Sequence, residues 1–96
     1  MKITHKSNSV IEFYNADTVA AITSNCNCVE FINEGTAAID IYVVGQANPI
    51  NLPQGSSYKF GGRESTSIIL TDTYNIIFVG GVTKKVKVVK EIITAL

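Results

Sequence analysis

Residues 31 to 45, FINEGTAAIDIYVVG, alternate apolar and polar side chains, break at Asn33-Glu34-Gly35-Thr36, and then alternate again. Period-two alternation puts every second side chain on one face of a pleated strand, so the stretch commits to β structure with one buried face. Ile39, Ile41 and Val43 are predicted to face a core while Asp40 and Tyr42 face away. Just upstream, Val29 and Phe31 oppose Cys28, Glu30 and Ile32 in the same manner. Gly35 can take a positive φ at no steric cost, so the break reads as the turn of a β-hairpin.

The rest of the chain follows the same rule. β-Branched residues and alternation dominate, with turn signals roughly every 8–12 residues, the signature of a sandwich or barrel. Strands are predicted over residues 2 to 4, 10 to 14, 18 to 23, 28 to 32, 56 to 60, 66 to 70 and 74 to 79. Between Asn48-Pro49 and Leu52-Pro53-Gln54-Gly55 lies a short edge-like piece, because proline cannot donate to a central ladder; Pro53 and Gly55 set its turn. Gly61-Gly62-Arg63-Glu64 is a further turn. The tail VTKKVKVVKEIITAL carries two patterns: Val82, Val86, Val89, Ile93 and Leu96 make a helical stripe, whereas Val86, Lys87 and Val88 alternate. Its β-branched content favours a strand bulged near Val89, with its lysines on solvent or guarding an edge; a short helix is the alternative.

At 96 residues the chain allows one domain, with a radius of gyration of roughly 12 Å. Eight basic and eight acidic side chains cancel, which argues against nucleic acid, whose binders need a basic excess. The charges are segregated. Residues 1 to 9 carry Lys2 and Lys6, residues 10 to 83 carry net −5, and residues 84 to 96 carry Lys84, Lys85, Lys87 and Lys90 against Glu91. Complementary patches of that kind suit docking onto like copies or a large assembly. No apolar run approaches the ~20 residues of a membrane helix, and a membrane partner is not expected.

Chemistry is sparse. His5 is the single histidine, no nucleophile stands beside a base, and Glu30, Glu34, Asp40, Glu64 and Asp72 fall on predicted exposed faces and turns. FGGRE joins two strands, whereas a phosphate-binding glycine loop opens a helix. Cys26 and Cys28 lie two apart, about 6.6 Å on a strand, where a disulfide would be strained, so packed thiols are expected. No catalytic residue, metal or cofactor is predicted. There is no tryptophan, and Tyr14, Tyr42, Tyr58 and Tyr74 are scattered, which disfavours a flat sugar-binding platform. Tyr42 and Tyr58 are candidates for an interface, where tyrosine is enriched.

LTDTYNIIF, residues 70 to 78, resembles the corner leading into strand F of immunoglobulin-like domains. The resemblance implies that the Tyr74 hydroxyl bonds backbone and fastens that corner. INEGTAAIDI followed by INLPQGSSYKF resembles a second immunoglobulin-like pattern, and together the likeness spans about residues 29 to 79. The cysteine pair departs from antibody domains, which bridge two strands of opposite sheets around a core tryptophan. Small sandwiches rich in Asn, Thr, Ile and Gly are similar in style to accessory virion proteins of tailed bacteriophages.

The expectation is therefore a single all-β, immunoglobulin-like antiparallel sandwich of about seven to nine strands. The style implies a capsid decoration or auxiliary protein, made in the host bacterial cytoplasm and residing in the virion. It would adhere to capsid or other virion proteins or form homo-oligomers, with a neck or tail component and a carbohydrate- or cell-surface-binding module as alternatives. Glu30, Asp40, Tyr42, Tyr58, Lys84, Lys85 and Lys87 are the predicted contact residues, and Gly35, Pro53, Gly55 and Tyr74 the structural ones.

Overall fold

Eight strands and no helix make up the described residues, 5–61 and 69–95 of the computed structural model. They are β1 (His5–Tyr14), β2 (Thr18–Thr23), β3 (Cys28–Asn33), β4 (Ala38–Val43), β5 (Ile50–Leu52), β6 (Ser57–Gly61), β7 (Thr73–Val79) and β8 (Val86–Ala95). The strand expected over residues 2 to 4, and most of that over 66 to 70 with the 61-to-64 turn, lie outside the described residues.

β1 pairs with β8, β2 with β7, β3 with β6 and β4 with β5, all antiparallel. These are the nested rungs of one long hairpin folded at the turn between Val43 and Ile50. Rolling it up adds the pairs β3·β8 and β4·β7. Two four-stranded sheets result, in the orders β1-β8-β3-β6 and β2-β7-β4-β5. The described residues thus form an all-β antiparallel sandwich of eight strands, and residues 86–95 are a strand and not the alternative helix. Within that sandwich the order is that of a jelly roll, since the first strand neighbours the last, and it differs from the ABED and CFG order of immunoglobulin domains. The motifs behind the immunoglobulin-like likeness describe local turns, which recur in any sandwich and carry no information about which sheet the next strand joins.

The same topology corrects the reading of residues 31 to 45. β3 and β4 lie in different sheets, so residues 33 to 37 cross between layers and do not turn a hairpin. Gly35 does not have a positive φ. It is buried, and a Cβ there would collide with the Thr83 carbonyl oxygen and come within 2.8 Å of the Lys85 nitrogen. The crossing is stitched to the one between β7 and β8: Glu34 N donates to Lys85 O at 3.0 Å, and Thr36 N and Ala37 N donate to Thr83 O at 2.9 and 3.0 Å. The Thr36 hydroxyl oxygen accepts from Val82 N and Thr83 N at 3.0 and 2.8 Å. Asn33, only 2% exposed, closes the inside of the crossing. Its Nδ2 donates to Ala37 O at 2.8 Å and Leu52 O at 3.0 Å, and its Oδ1 accepts from Gly35 N at 3.1 Å.

Alternation fills the core as anticipated, with Val29, Phe31, Val86 and Val88 from one sheet meeting Ile39, Ile41, Tyr74, Ile76 and Phe78 from the other. An aromatic cluster binds the layers: Phe31 lies 5.9 Å from Phe60 and 5.3 Å from Tyr74, and Phe60 lies 4.8 Å from Tyr74. Tyr74 therefore acts as a core ring. Its buried hydroxyl makes no backbone hydrogen bond, and burial pushes its pKa up to about 12.

β5 is an edge strand, as its flanking prolines require. Gly55 has a φ of 77° in the turn after it, where Ser56 N donates to Pro53 O at 3.1 Å. β8 is not an edge: it runs unbroken between β1 and β3, its register showing no bulge at Val89. At ten residues each, β1 and β8 outrun the opposing sheet. The molecule accordingly measures 52 × 25 × 17 Å, with a radius of gyration of 14.4 Å, above the value for a sphere-like domain of this length.

Candidate interaction surface

The two crossings and the β1–β2 turn meet at one end of the sandwich, where Phe13, Tyr14, Asn15, Thr83, Lys84 and Lys85 line an open groove of about 340 Å³. Phe13 is 56% exposed because it sits on the outer face of edge strand β1, opposite Lys87. The Lys85 ammonium stands 5.3 Å from the Phe13 ring centre and 3.6 Å from the Glu34 carboxylate. Lys84 forms an ion pair with Asp17. Thus two of the three lysines expected to await an acidic neighbour already have acidic partners in their own chain. They lie in the loop before a central strand, not along an edge. Exposed pairs of this sort contribute ~0–1 kcal/mol, so a carboxylate on a partner could replace Asp17 or Glu34 at little cost. The groove offers two aromatic rings, Phe13 and Tyr14, and two ammonium groups, and no paired nucleophile and base.

Behind it, Tyr14 Oη donates to Glu12 Oε1 at 2.8 Å, and Lys90 Nζ approaches the same oxygen at 3.0 Å. Lys90 shares the face of Val86 and Val88 and is 9% exposed. Burial and the Glu12 carboxylate push the Tyr14 hydroxyl up to about 12. Burial also raises Glu12, but the hydrogen bonds from Tyr14 and Lys90 and the Lys90 charge outweigh it and hold the carboxyl below its ordinary 4.5. A carboxyl depressed in the folded state stabilises above its unfolded pKa, and the contribution is lost as pH falls through the folded value. Acid titration of stability should therefore steepen below about pH 4.5, and Glu12→Gln should flatten that part of the profile while weakening the fold at neutral pH. Urea midpoints measured from pH 3 to pH 7 check this; parallel profiles for the two proteins would contradict it.

The remaining predicted contact residues do not form one surface. Glu30 points outward from β3, opposite Val89 and Lys59, whereas Asp40 and Tyr42 point outward from β4 on the other sheet. The crossing at residues 33 to 37 puts them on opposite sides of the sandwich. Asp40 Oδ1 accepts from Asn51 Nδ2 at 3.0 Å. Tyr58, 42% exposed, shares its face with Phe31 and packs 4.9 Å from Phe60 at the far edge of the first sheet.

The signal that sequence reasoning missed is apolar. Val10, Ile11 and Phe13 on β1 are 44%, 50% and 56% exposed. Ile11 lies beside Val89, so Ile11, Phe13, Val89 and Ile32 stand together on an outer face that also carries Lys87, Glu91, Glu30 and Lys59. The sequence places a strand only at residues 10 to 14, whereas β1 begins at His5, and a strand's own residues do not say whether it lies at an edge.

Cys26 and Cys28 are both buried thiols with no disulfide between them. Burial raises the Cys26 thiol pKa. Among the described residues no group of three His, Cys, Asp or Glu side chains could hold a metal ion.

No family model matches the sequence, and no curated protein matches it. Among solved structures, the chain is similar to one described as "Bacillus endospore appendages form a novel family of disulfide-linked pili", with 18% identity and a TM-score of 0.52 over 100% of this chain and 92% of that one. That likeness is one of fold. It is also similar, at 14% identity and a TM-score of 0.46, to a de novo designed double-stranded beta-helix, over 88% of this chain and 97% of the other.

Proposed function

We propose that the chain is a structural protein that works by adhesion, docking through the Phe13–Lys85 groove and the neighbouring apolar outer face onto copies of itself or a repeated site of a large assembly. The observation that carries this reading is the cluster of exposed apolar side chains on β1 beside exchangeable ion pairs. Weak contacts of this kind become effective when many copies engage together. Two settings fit. One is an accessory protein of a tailed-phage particle, supported by composition and by the use of jelly rolls in viral capsids, an analogy of architecture. The other is a subunit of a surface fibre, supported by the sandwich it shares with a pilus protein. Sugar binding has less support, because exposed Phe13 and Tyr58 stand on opposite edges and opposite faces of one sheet and cannot make a ring platform.

Immuno-electron microscopy with an antibody to the chain should label either particles or fibres, and so separate the two settings. Label confined to unassembled protein would remove the adhesive reading. Co-sedimentation with the labelled assembly should weaken about tenfold or more, and lose its salt dependence, when Lys84, Lys85 and Lys87 are all changed to Glu. Binding indifferent to both salt and the triple change would remove the groove from the interface.

A further inference from the structure

The four edge strands of the sandwich are not equally protected. β2 breaks its ladder at Ala20 and Ala21, where Ala21 takes a φ of 58° and its N–H is held by Asn75 Oδ1 at 2.9 Å. β5 is three residues long between Pro49 and Pro53. β6 has five residues and ends at Gly61 with a φ of 78°. Bulges, prolines, shortness and charges are the usual means by which natural sheets blunt an edge. β1 has no bulge or proline and is not short, and its Glu12 carboxylate is engaged by Tyr14 and Lys90 on the inner face: it runs ten residues in unbroken register with β8, and among the described residues no strand pairs with its other side. It also carries Val10 on one face and Ile11 and Phe13 on the other, each more than two-fifths exposed. An unguarded, apolar, regular edge is a template for another strand.

We infer that β1 pairs with β1 of a second copy, antiparallel about a two-fold axis normal to the sheet and centred on Ile11, joining two four-stranded sheets into one of eight. The occupant follows from three observations. A regular row of backbone donors and acceptors is matched best by an edge as regular, and on another copy only β1 offers one among the described edges; about Ile11, residues 8 to 14 of each copy pair. The net charge of zero leaves no bulk repulsion between copies. A pairing of identical strands about Ile11 sets Ile11 opposite Ile11, Ser9 opposite Phe13 and Val10 opposite Glu12. Both copies' Ile11 and Phe13 then form one apolar patch, and no like charges face each other. Such an interface is isologous and closes on itself.

This interface names the partner at one border of the adhesive surface and so rests on that reading, yet the two fail separately. A monomeric chain that still labels particles or fibres removes only this interface, and a dimer that labels neither removes only the adhesive role.

The test is sedimentation equilibrium combined with hydrogen exchange. The wild-type chain should dimerise with concentration, and β1 amides should gain protection over the same range. Ile11→Lys, which installs the charge found on guarded edges, should weaken dimerisation about tenfold or more while leaving far-UV circular dichroism unchanged. Ile11→Cys should cross-link to itself under mild oxidation, whereas Ser9→Cys and Phe13→Cys should cross-link only when mixed, their opposed positions being within disulfide reach. A chain that stays monomeric, or a dimer indifferent to Ile11→Lys, or self-cross-linking at residue 9 with none at residue 11, overturns the proposal. Should Ile11→Lys fail to fold, the concentration dependence of β1 protection in the wild type decides alone.

Discussion

Phe31→Ala is expected to cost about 4 kcal/mol, among the large losses open to the described core side chains. Phe31 is fully buried on central strand β3 and makes edge-on contacts with both Phe60 and Tyr74, so one ring links its own sheet to the opposing one. Truncation removes the transfer energy of the ring and opens a cavity. It also forfeits two aromatic contacts of ~0.5–1.5 kcal/mol each. The lining is made of strand-bound side chains, which have little freedom to collapse into the space. For a domain whose total stability is of order 5–15 kcal/mol, the melting temperature should fall by roughly 20 °C. Urea unfolding should show the midpoint drop with an unchanged slope, whereas Phe31→Leu should cost only ~1.5 kcal/mol. Equal losses for the two variants would mean that the cluster does not hold the layers together.

Gly35→Ala is expected to cost about 3 kcal/mol or more, a large effect for one methyl group. The added carbon would meet the Thr83 carbonyl oxygen and the Lys85 nitrogen, both backbone atoms of the other crossing. Relief requires the crossings to part, which strains the hydrogen bonds of Glu34, Thr36 and Ala37 to that segment. Gly45→Ala is the control: Gly45 has a φ of 96° but nothing within 4 Å of the site of a Cβ, so it should lose only the ~1–2 kcal/mol of a side chain in left-handed backbone. Denaturant midpoints for the two variants, measured side by side, separate close approach from conformational preference. A larger loss at Gly45 would contradict the role assigned to Gly35.

These two residues also mark what was legible in the chain and what was not. The alternation around Phe31 correctly assigned Val29, Phe31, Ile39 and Ile41 to the interior, because period-two placement is a local property of a strand. Pro49, Pro53 and Gly55 located an edge for an equally local reason. The turn at Gly35 was misread because an alternating pattern is the same whether the chain returns beside itself or crosses to the facing layer. Only the partner strand tells them apart, and that partner is distant in sequence. Lys84 and Lys85 looked available because their partners, Asp17 and Glu34, are far along the chain. Asn33 gave no signal, although a buried amide serving three backbone groups sits at the centre of the crossing. The exposed apolar residues of β1 have the pattern of any half-buried strand, and their exposure follows from edge position, which topology decides.

The nested pairing of strands carries a consequence for how the chain reaches this structure. Joining Ile41 to Ile50 closes a short loop, joining Val19 to Ile76 a longer one, and joining Tyr14 to Val86 encloses most of the chain. Loop-closure entropy makes the inner rungs the cheaper ones to form first, so assembly proceeds outward from the turn at residues 44 to 49, and each rung shortens the loop the next must close. With its pairs this distant in sequence, the chain belongs among the slow folders of its size, on a scale of milliseconds to seconds. On this ordering β1 is expected to be the last strand laid down. Until it arrives, the adjoining side of β8 stands open in the nearly finished sheet, and that interval is when a newly made chain is most exposed to its neighbours.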